Sequence, residues 1–322
     1  MASPVSGELR LGLIGAGPWG RNYISTIAAL EGVTLARLAS TNADSAQLVP
    51  PECRISARWE DVARARDLDG VIIAAPPALH GVMTRTALKG GHGVLVEKPL
   101  TLDPEEAREL LCFAESRGGL VLVDHIHLFS PAWNALKTAT RTQGCPRSIH
   151  TVAGRWGPFR ADAPVLWDWG VHDIAMCLDL TGETPTSLRA RRTESRDTPD
   201  GAGETLELAL GFSGGLTADI QISNLMADKQ RLFSVRFDRQ SWVYDDTAPD
   251  KLTRHDLPGG PDGPLGPGQA VPVDSTLPLT RVVAAFAAAL RARSHDLASL
   301  RLGVETVVIL DQLAQALDAN HL

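Results

Sequence analysis

No apolar run in the 322 residues is long enough to cross a bilayer. The opening MASPVSGELR lacks the basic stretch and apolar core of a secretory signal. The four cysteines, Cys53, Cys112, Cys145 and Cys177, are widely scattered and form neither a C-x-x-C pair nor a disulfide framework. A reducing cytoplasm is therefore the expected compartment. A basic excess is also missing: the net charge is −7, which argues against a nucleic-acid surface. Anionic small molecules stay open, because local charge decides their binding. There is no internal repeat. The length allows two domains with sizeable cores.

Against these absences stand two landmarks. Residues 11–20 read LGLIGAGPWG: a short apolar run, then Gly15-x-Gly17-x-x-Gly20, then a helix start. In that context glycines let the backbone approach a pyrophosphate, and the helix N-terminus favours its charge. The alternative is a plain tight turn. VLVEKPL at 94–100 places Lys98 at the carboxyl end of a second buried strand. Ligands of open α/β sheets bind at such strand ends, so the glycine turn and Lys98 are expected to share one crevice.

Strand and helix signals alternate over 1–125. Strands are expected at 9–14, 33–39, 70–74, 93–96 and 120–123, and helices at 18–30 and 80–89. Asp103-Pro104-Glu105-Glu106 opens a further helix, with Asp as N-cap, Pro at N1 and an acid at N3. Such alternation implies a parallel sheet. After about residue 146 the pattern changes. A strand at 148–155 and a helix at 167–180 are followed by strands at 187–192, 205–212, 216–223, 232–237 and 241–244, with Gly214-Gly215 as a hairpin turn. This run implies an antiparallel sheet. The Gly/Pro-rich 258–268 reads as a loop, and helices at 280–293 and 303–320 close the chain.

Gly15-x-Gly17-x-x-Gly20, Pro76-Pro77-x-x-His80, Glu97-Lys98-Pro99 and Asp168-x-Gly170-x-His172 occur in this order. Together they resemble the Gfo/Idh/MocA oxidoreductases, the family of glucose–fructose oxidoreductase and inositol dehydrogenase. HLFSPAW at 127–133 and VLWDWGVHDI at 165–174 look closest to a nucleotide-sugar and aminosugar branch. The resemblance implies an α/β chain with a doubly wound Rossmann domain (1–125) that binds NAD(P). A substrate-binding and oligomerisation α+β domain (126–322) follows, with a large, mostly antiparallel open sheet, and the last helices are allowed to pack back toward the first domain. It implies an NAD(P)-dependent dehydrogenase or reductase acting on a secondary alcohol or ketone of a sugar, cyclitol or nucleotide sugar. Lys98, Asp168 and His172 are the implied catalytic set. Gly15, Gly17, Pro18, Trp19, Gly20, Ser40, Thr41, Pro76, His80, Glu97 and Lys98 are the implied cofactor contacts, and His125, Arg160 and Trp167 the implied substrate contacts. A homodimer or homotetramer across the open sheet is the implied assembly, with no nucleic-acid or membrane partner.

The chemistry needs such groups. Oxidising an alcohol sends a hydride to the nicotinamide and a proton to a base. An imidazole, with an ordinary pKa of about 6.5, exchanges that proton near neutral pH, whereas a lysine at about 10.4 would need strong depression. His172 is thus read as base and Lys98 as stabiliser of developing alkoxide charge. The reverse assignment stays open. His172 pairing with Asp168 or Asp173 for structure alone is the plainer alternative.

Other residues carry two readings each. Asp124, His125 and His127 resemble a metal cluster but lack further ligands at metal spacing, so structure or substrate contact is favoured and no metal is assigned. Trp156, Trp167 and Trp169 suit either sugar stacking or core packing. Arg160 suits either an anion or solvent. Two departures from the family pattern stand out. Ala175 replaces an acid commonly found three residues after the motif histidine. Ser40-Thr41-Asn42 stands where Asp or Glu would bind a ribose 2′-hydroxyl, which favours NADP with NAD tolerated. Arg21 and Arg58 are candidate phosphate partners, while Arg37 should lie within a strand and aim elsewhere. The competing functions are glycosidase-type chemistry without net redox and a non-catalytic dinucleotide-binding regulator. Retention of Lys98, Asp168 and His172 argues against the regulator.

Overall fold

The computed structural model describes residues 7–159 and 164–319. Its contacts divide the chain into two units, residues 1–126 with 276–307 and residues 127–275 with 308–322.

The first unit is built on six parallel strands: β1 (Leu9–Ile14), β2 (Val33–Ala39), β3 (Arg54–Ser56), β4 (Gly70–Ile73), β5 (Gly93–Glu97) and β6 (Val121–Asp124). Their order is β3-β2-β1-β4-β5-β6, the doubly wound arrangement whose switch point lies between β1 and β4. Leu11 and Leu13 of β1, Val71–Ile73 of β4 and Val94–Val96 of β5 are all fully buried. Runs buried at consecutive positions need cover on both sheet faces, and helices supply it. These are α1 (Pro18–Ala28), α2 (Glu60–Ala63), α3 (His80–Lys89) and α4 (Pro104–Arg117). As the sequence implies, Asp103 caps α4, its carboxylate accepting the Glu105 N–H at 2.7 Å. Gly118 ends that helix in the left-handed region at φ +57°.

The second unit carries an eight-stranded sheet. Its members are β7 (Ser148–Trp156), β8 (Ser187–Thr198), β9 (Gly201–Gly211), β10 (Thr217–Ser223), β11 (Leu225–Arg236), β12 (Gln240–Asp245), β13 (Leu252–Asp256) and β14 (Gly268–Ala270). The order is β14-β13-β12-β11-β7-β10-β9-β8, and every pair is antiparallel except β7 with β10. Burial alternates: Leu206, Leu208 and Leu210 of β9 and Ala218, Ile220 and Ile222 of β10 point into the core. The apolar face is covered by α5 (Pro131–Thr140), whose Trp133 is fully buried, and by α6 (Val171–Thr181). The opposite face mixes polar residues with apolar ones such as Val152, Leu188 and Ala209. His150, Arg191, Glu207, Asp219 and Gln221 line an open groove of about 880 Å³ there.

Two further helices close the chain. α7 (Pro278–Arg291) belongs to the first unit, and α8 (Ala298–Ala319) is counted with the first unit up to Val307 and with the second from Val308.

Several elements differ from the sequence reading. The β8–β9 hairpin runs much further than its apolar pattern, because charged rungs hold the extension; Arg192 Nε donates to Glu204 at 2.7 Å. α2, α5, β3, β13 and β14 are unpredicted. β3 and β14 are three-residue edge strands and β13 is a short polar strand between β12 and β14, so pairing partners, not their own pattern, define all three. The helix read over 167–180 is in fact a π-helical turn, Leu166–Gly170, followed by α6.

Candidate functional site

In the first unit the glycine turn leaves β1 and enters α1. Gly15 sits at φ +103°, and a side-chain carbon there would lie 2.2 Å from the carbonyl oxygen of Ala74. A carbon on Gly20 would lie 2.2 Å from the carbonyl oxygen of Gly15. These two glycines are thus demanded by the chain itself. Gly17 is different: nothing lies within 4 Å of its missing side chain. It is the N-cap of α1 with no side-chain capping bond, Pro18 follows at N1, and the first turn holds no acid. Backbone donors at that terminus and an open wall over Gly17 are what a pyrophosphate group needs. Pro18 and Trp19 are exposed beside them.

The strands next to β1 bring the other first-unit candidates to the same carboxyl edge. β4 runs out through Ala74-Ala75 to exposed Pro76, and β5 through Glu97 to half-buried Lys98. His80, at the start of α3, joins these exits. Its Nδ1 lies 2.7 Å from the Pro99 carbonyl oxygen and its Nε2 lies 2.9 Å from that of Ala75. A neutral ring donates to one of the two and a protonated ring to both. Burial holds its pKa below the ordinary value, against the pull of the carbonyls, and Lys98 adds to the lowering. The sequence reading placed His80 against the cofactor. The structure spends both ring nitrogens on the chain, so the residue ties Lys98-Pro99 to the β4 exit.

Glu97 is also turned inward. Its Oε1 lies 2.9 Å from the Tyr23 hydroxyl oxygen and its Oε2 accepts the Lys98 N–H at 3.3 Å. Tyr23 hydrogen-bonds Asp124 too. Burial raises both carboxyls; Asp124 beside Glu97 raises the latter further, and Asp124 is pushed up to about 6. His125 is 2% exposed, and both its ring nitrogens are buried with no hydrogen-bond partner among the described residues. Burial, assisted by the charge of Lys98, pushes its pKa down to about 4.

The end of β2 carries no acid. The Ser40 hydroxyl lies 2.7 Å from that of Ser45 and accepts the Asn42 N–H at 3.2 Å, and Thr41 is exposed. Arg37 donates to Asp67 at 2.8 Å, away from the strand end. Arg58 follows the β3 exit with a side chain 71% exposed. Arg37, Arg54, Arg58 and Arg64 line a groove of about 630 Å³ against α2.

In the second unit, Trp167, Asp168, Trp169 and His172 are all half-buried on the π-turn and the start of α6. The His172 ring stands edge-on to His127, centroids 5.0 Å apart. His127 Nδ1 lies 3.0 Å from the hydroxyl of Tyr244 on β12. Asp173, the structural alternative for pairing His172, is instead bonded to Arg231 at 2.7 Å, with both side chains essentially buried. Burial raises the Asp173 carboxyl and Arg231 opposes this. The Arg231 guanidinium also lies 5.6 Å from the Trp169 ring. Trp156 is 48% exposed and packs edge-on against Phe159. Arg160 lies outside the described residues. Among the described residues no group of three or more His, Cys, Asp or Glu is arranged to hold a metal ion. No described helix is long and apolar enough to cross a membrane.

Sequence reasoning missed Tyr23, Tyr244 and Arg231. Tyr23 lies a turn into the glycine-turn helix, and the parallel register pairing Glu97 with Asp124 was implicit in the strand pattern. No local signal marks Arg231.

A doubly wound sheet with an open glycine turn and a lysine on the same carboxyl edge, joined to a second unit on a large open sheet, defines a two-domain protein built around a dinucleotide-binding fold. The chain matches "Oxidoreductase family, NAD-binding Rossmann fold" over residues 9–125 and "GFO/IDH/MocA C-terminal domain" over residues 138–243. It belongs to the Gfo/Idh/MocA oxidoreductase family. A solved structure from Magnetospirillum magnetotacticum MS-1 is 43% identical with a TM-score of 0.89, covering 95% of this chain and 99% of that one. UDP-N-acetylglucosamine 3-dehydrogenase of Acidithiobacillus ferrooxidans is 35% identical over 57% of this chain, and the match spans 58% of that relative's length. Inositol 2-dehydrogenase 2 of Paenarthrobacter aurescens is 26% identical over 66% of this chain and 72% of its own.

Proposed function

We propose that the protein is an NAD(P)-dependent oxidoreductase that transfers a hydride between nicotinamide and a secondary alcohol or ketone of a sugar, cyclitol or nucleotide sugar. The observation that carries this reading is the carboxyl edge of the first sheet. There a glycine turn with an open Gly17 wall and the strand-end lysine Lys98 leave β1 and β5, with only β4 between them. The relative named for UDP-N-acetylglucosamine supports a nucleotide sugar within the substrate class.

The pyrophosphate would lie on the Gly17 amide edge and the α1 N-terminus. Bound nicotinamide supplies or accepts the hydride. Lys98, tied down by the His80 and Glu97 bonds, lends positive charge to the substrate oxygen as it becomes alkoxide-like. His172 takes the alcohol proton, or returns it in the reducing direction. Asp168, one turn before it, orients substrate or lysine. His125 and Trp167 are assigned to substrate contact. The absence of an acid at Ser40-Thr41-Asn42 removes repulsion of a 2′-phosphate, and Arg21 and exposed Arg58 are cations for it, so NADP(H) is favoured with NAD(H) tolerated.

The test is a panel of sugars and nucleotide sugars with both cofactors, followed by reduced-cofactor absorbance. Stoichiometric change is expected; turnover without it would instead indicate glycosidase-type chemistry. Lys98→Met and His172→Ala should each lower turnover about 10²–10⁴-fold while changing cofactor affinity far less. Near-normal turnover in both variants would overturn the assignment. The assembly proposed with this reading is a homodimer or homotetramer packed through the open face of the eight-stranded sheet. Light scattering at micromolar concentration should give two or four times the chain mass, and a monomer would refute it.

A further inference from the structure

Glu97 and Asp124 are register partners on neighbouring parallel strands. Strands lie about 4.8 Å apart and paired residues face the same side, so the fold sets two carboxyls against each other in its core. Both are nearly inaccessible, Glu97 at 8% and Asp124 at 1%. Their common partner is the fully buried hydroxyl of Tyr23, which lies 2.9 Å from Glu97 Oε1 and also bonds Asp124 Oδ2. Asp124 Oδ1 has no hydrogen-bond partner among the described residues.

Counting protons decides the charge. Tyr23 has one hydroxyl proton and can donate it to one carboxylate only. If both carboxyls were ionised, the second would face the phenol oxygen's lone pair, in a dry site with a like charge alongside. A second proton held by one carboxyl satisfies both contacts: the acid donates to the phenol, and the phenol donates to the remaining carboxylate. The other ionisable groups around this cluster are Lys98, which follows Glu97 directly, and His125, which follows Asp124. His80 is bonded to the Pro99 carbonyl just beyond.

The geometry points to Glu97 and Asp124 sharing a single proton through Tyr23, so that together they present one negative charge beside Lys98 and hold its side chain in place. They are positioning residues, acting on substrate only through Lys98. Burial raises the affinity of both carboxyls for a proton, in the direction this sharing requires. The inference rests on the proposed function only for what Lys98 then does.

The experiments need neither cofactor nor substrate, so their failure would leave the dehydrogenase reading untouched. Infrared spectra of the protein at pH 7 should contain the carbonyl stretch of a buried protonated carboxyl that disappears in Glu97→Gln. No difference between the two spectra would overturn the proposal. The second readout is acylation of Lys98 by acetic anhydride, measured by peptide mass spectrometry against exposed Lys229. Only the neutral amine reacts. The double variant Asp124→Asn with Glu97→Gln removes the single charge and should speed labelling of Lys98 about tenfold or more. Asp124→Asn alone and Glu97→Gln alone each leave one carboxylate to carry the charge, and both should stay near wild type. Equal rates in the double variant and wild type, or acceleration in either single variant, would refute the proposal. If the double variant does not fold, the infrared comparison decides alone.

Discussion

The two units hold their buried polar groups by different means. Around Lys98 the main chain holds His80 through two carbonyls and shapes the turn through glycines whose side-chain space is filled by neighbouring backbone, with Tyr23, Glu97 and Asp124 as a side-chain cluster beside it. Around His172 side chains hold one another: Asp173 with Arg231, His127 with Tyr244, and Trp133 and Lys137 with Asp179 at 2.7 Å each. A site held by the backbone tolerates few substitutions at its glycines yet is legible from short motifs. A site held by side chains from distant strands tolerates matched replacements and leaves little trace in any one stretch of sequence.

The sharpest way to break this comparison lies at the glycine turn. Gly15→Val should give no stable folded protein, since its side chain would enter the Ala74 carbonyl at a backbone angle that suits only glycine. Gly17→Val should fold within about 1 kcal/mol of wild type, because surface changes away from special features are nearly neutral. It should nonetheless lose dinucleotide binding by calorimetry. A Gly17→Val protein that binds as well as wild type would show that its open wall serves no ligand.

In the second unit the largest effect should come from orphaning a charge. Asp173→Asn leaves the Arg231 guanidinium buried and unpaired, and should cost about 3–5 kcal/mol in denaturant unfolding. The double variant Asp173→Leu with Arg231→Met should recover most of that loss. If it recovers nothing, the pair is not the interchangeable side-chain device described above.

How much could be read beforehand follows the same division. The parallel strands, the glycine turn, α3 and the Asp103 cap of α4 are local signals: a buried apolar run, a three-glycine spacing, an N-cap followed by proline. α5 also had such a signal in Ser130-Pro131. By contrast, Asp173 and Arg231 are 58 residues apart, and Tyr23 and Asp124 are 101 apart. Nothing in either neighbourhood marks them; only tertiary packing brings them together. Glu97 lies within a recognisable motif, yet the motif does not say which way its carboxylate turns.

The smallest expected effect concerns cofactor choice. Ser40→Asp would place a carboxylate at the end of β2, where it can accept ribose hydroxyls and repel a 2′-phosphate. Selectivity should move toward NADH by about tenfold, roughly 1.4 kcal/mol, read by fluorescence binding of both reduced cofactors. Wild-type protein that binds NADH more than tenfold tighter than NADPH would overturn the preference inferred from Ser40-Thr41-Asn42.

The first unit is not continuous in sequence. Positions Gly70 and Gly93, at the start of β4 and β5, have no side chains because Phe286 and Leu290 of α7 fill that space: an added carbon at Gly70 would lie 2.7 Å from Leu290 Cδ1, and at Gly93 2.6 Å from Leu290 Cδ2. The dinucleotide-binding sheet therefore waits for a helix more than 150 residues further along the chain. On the ribosome, all the strands of both sheets are synthesised before the helix that seals the first one. Completion of the amino-terminal domain is thus a late event in this protein's birth, timed by the arrival of its carboxyl-terminal segment.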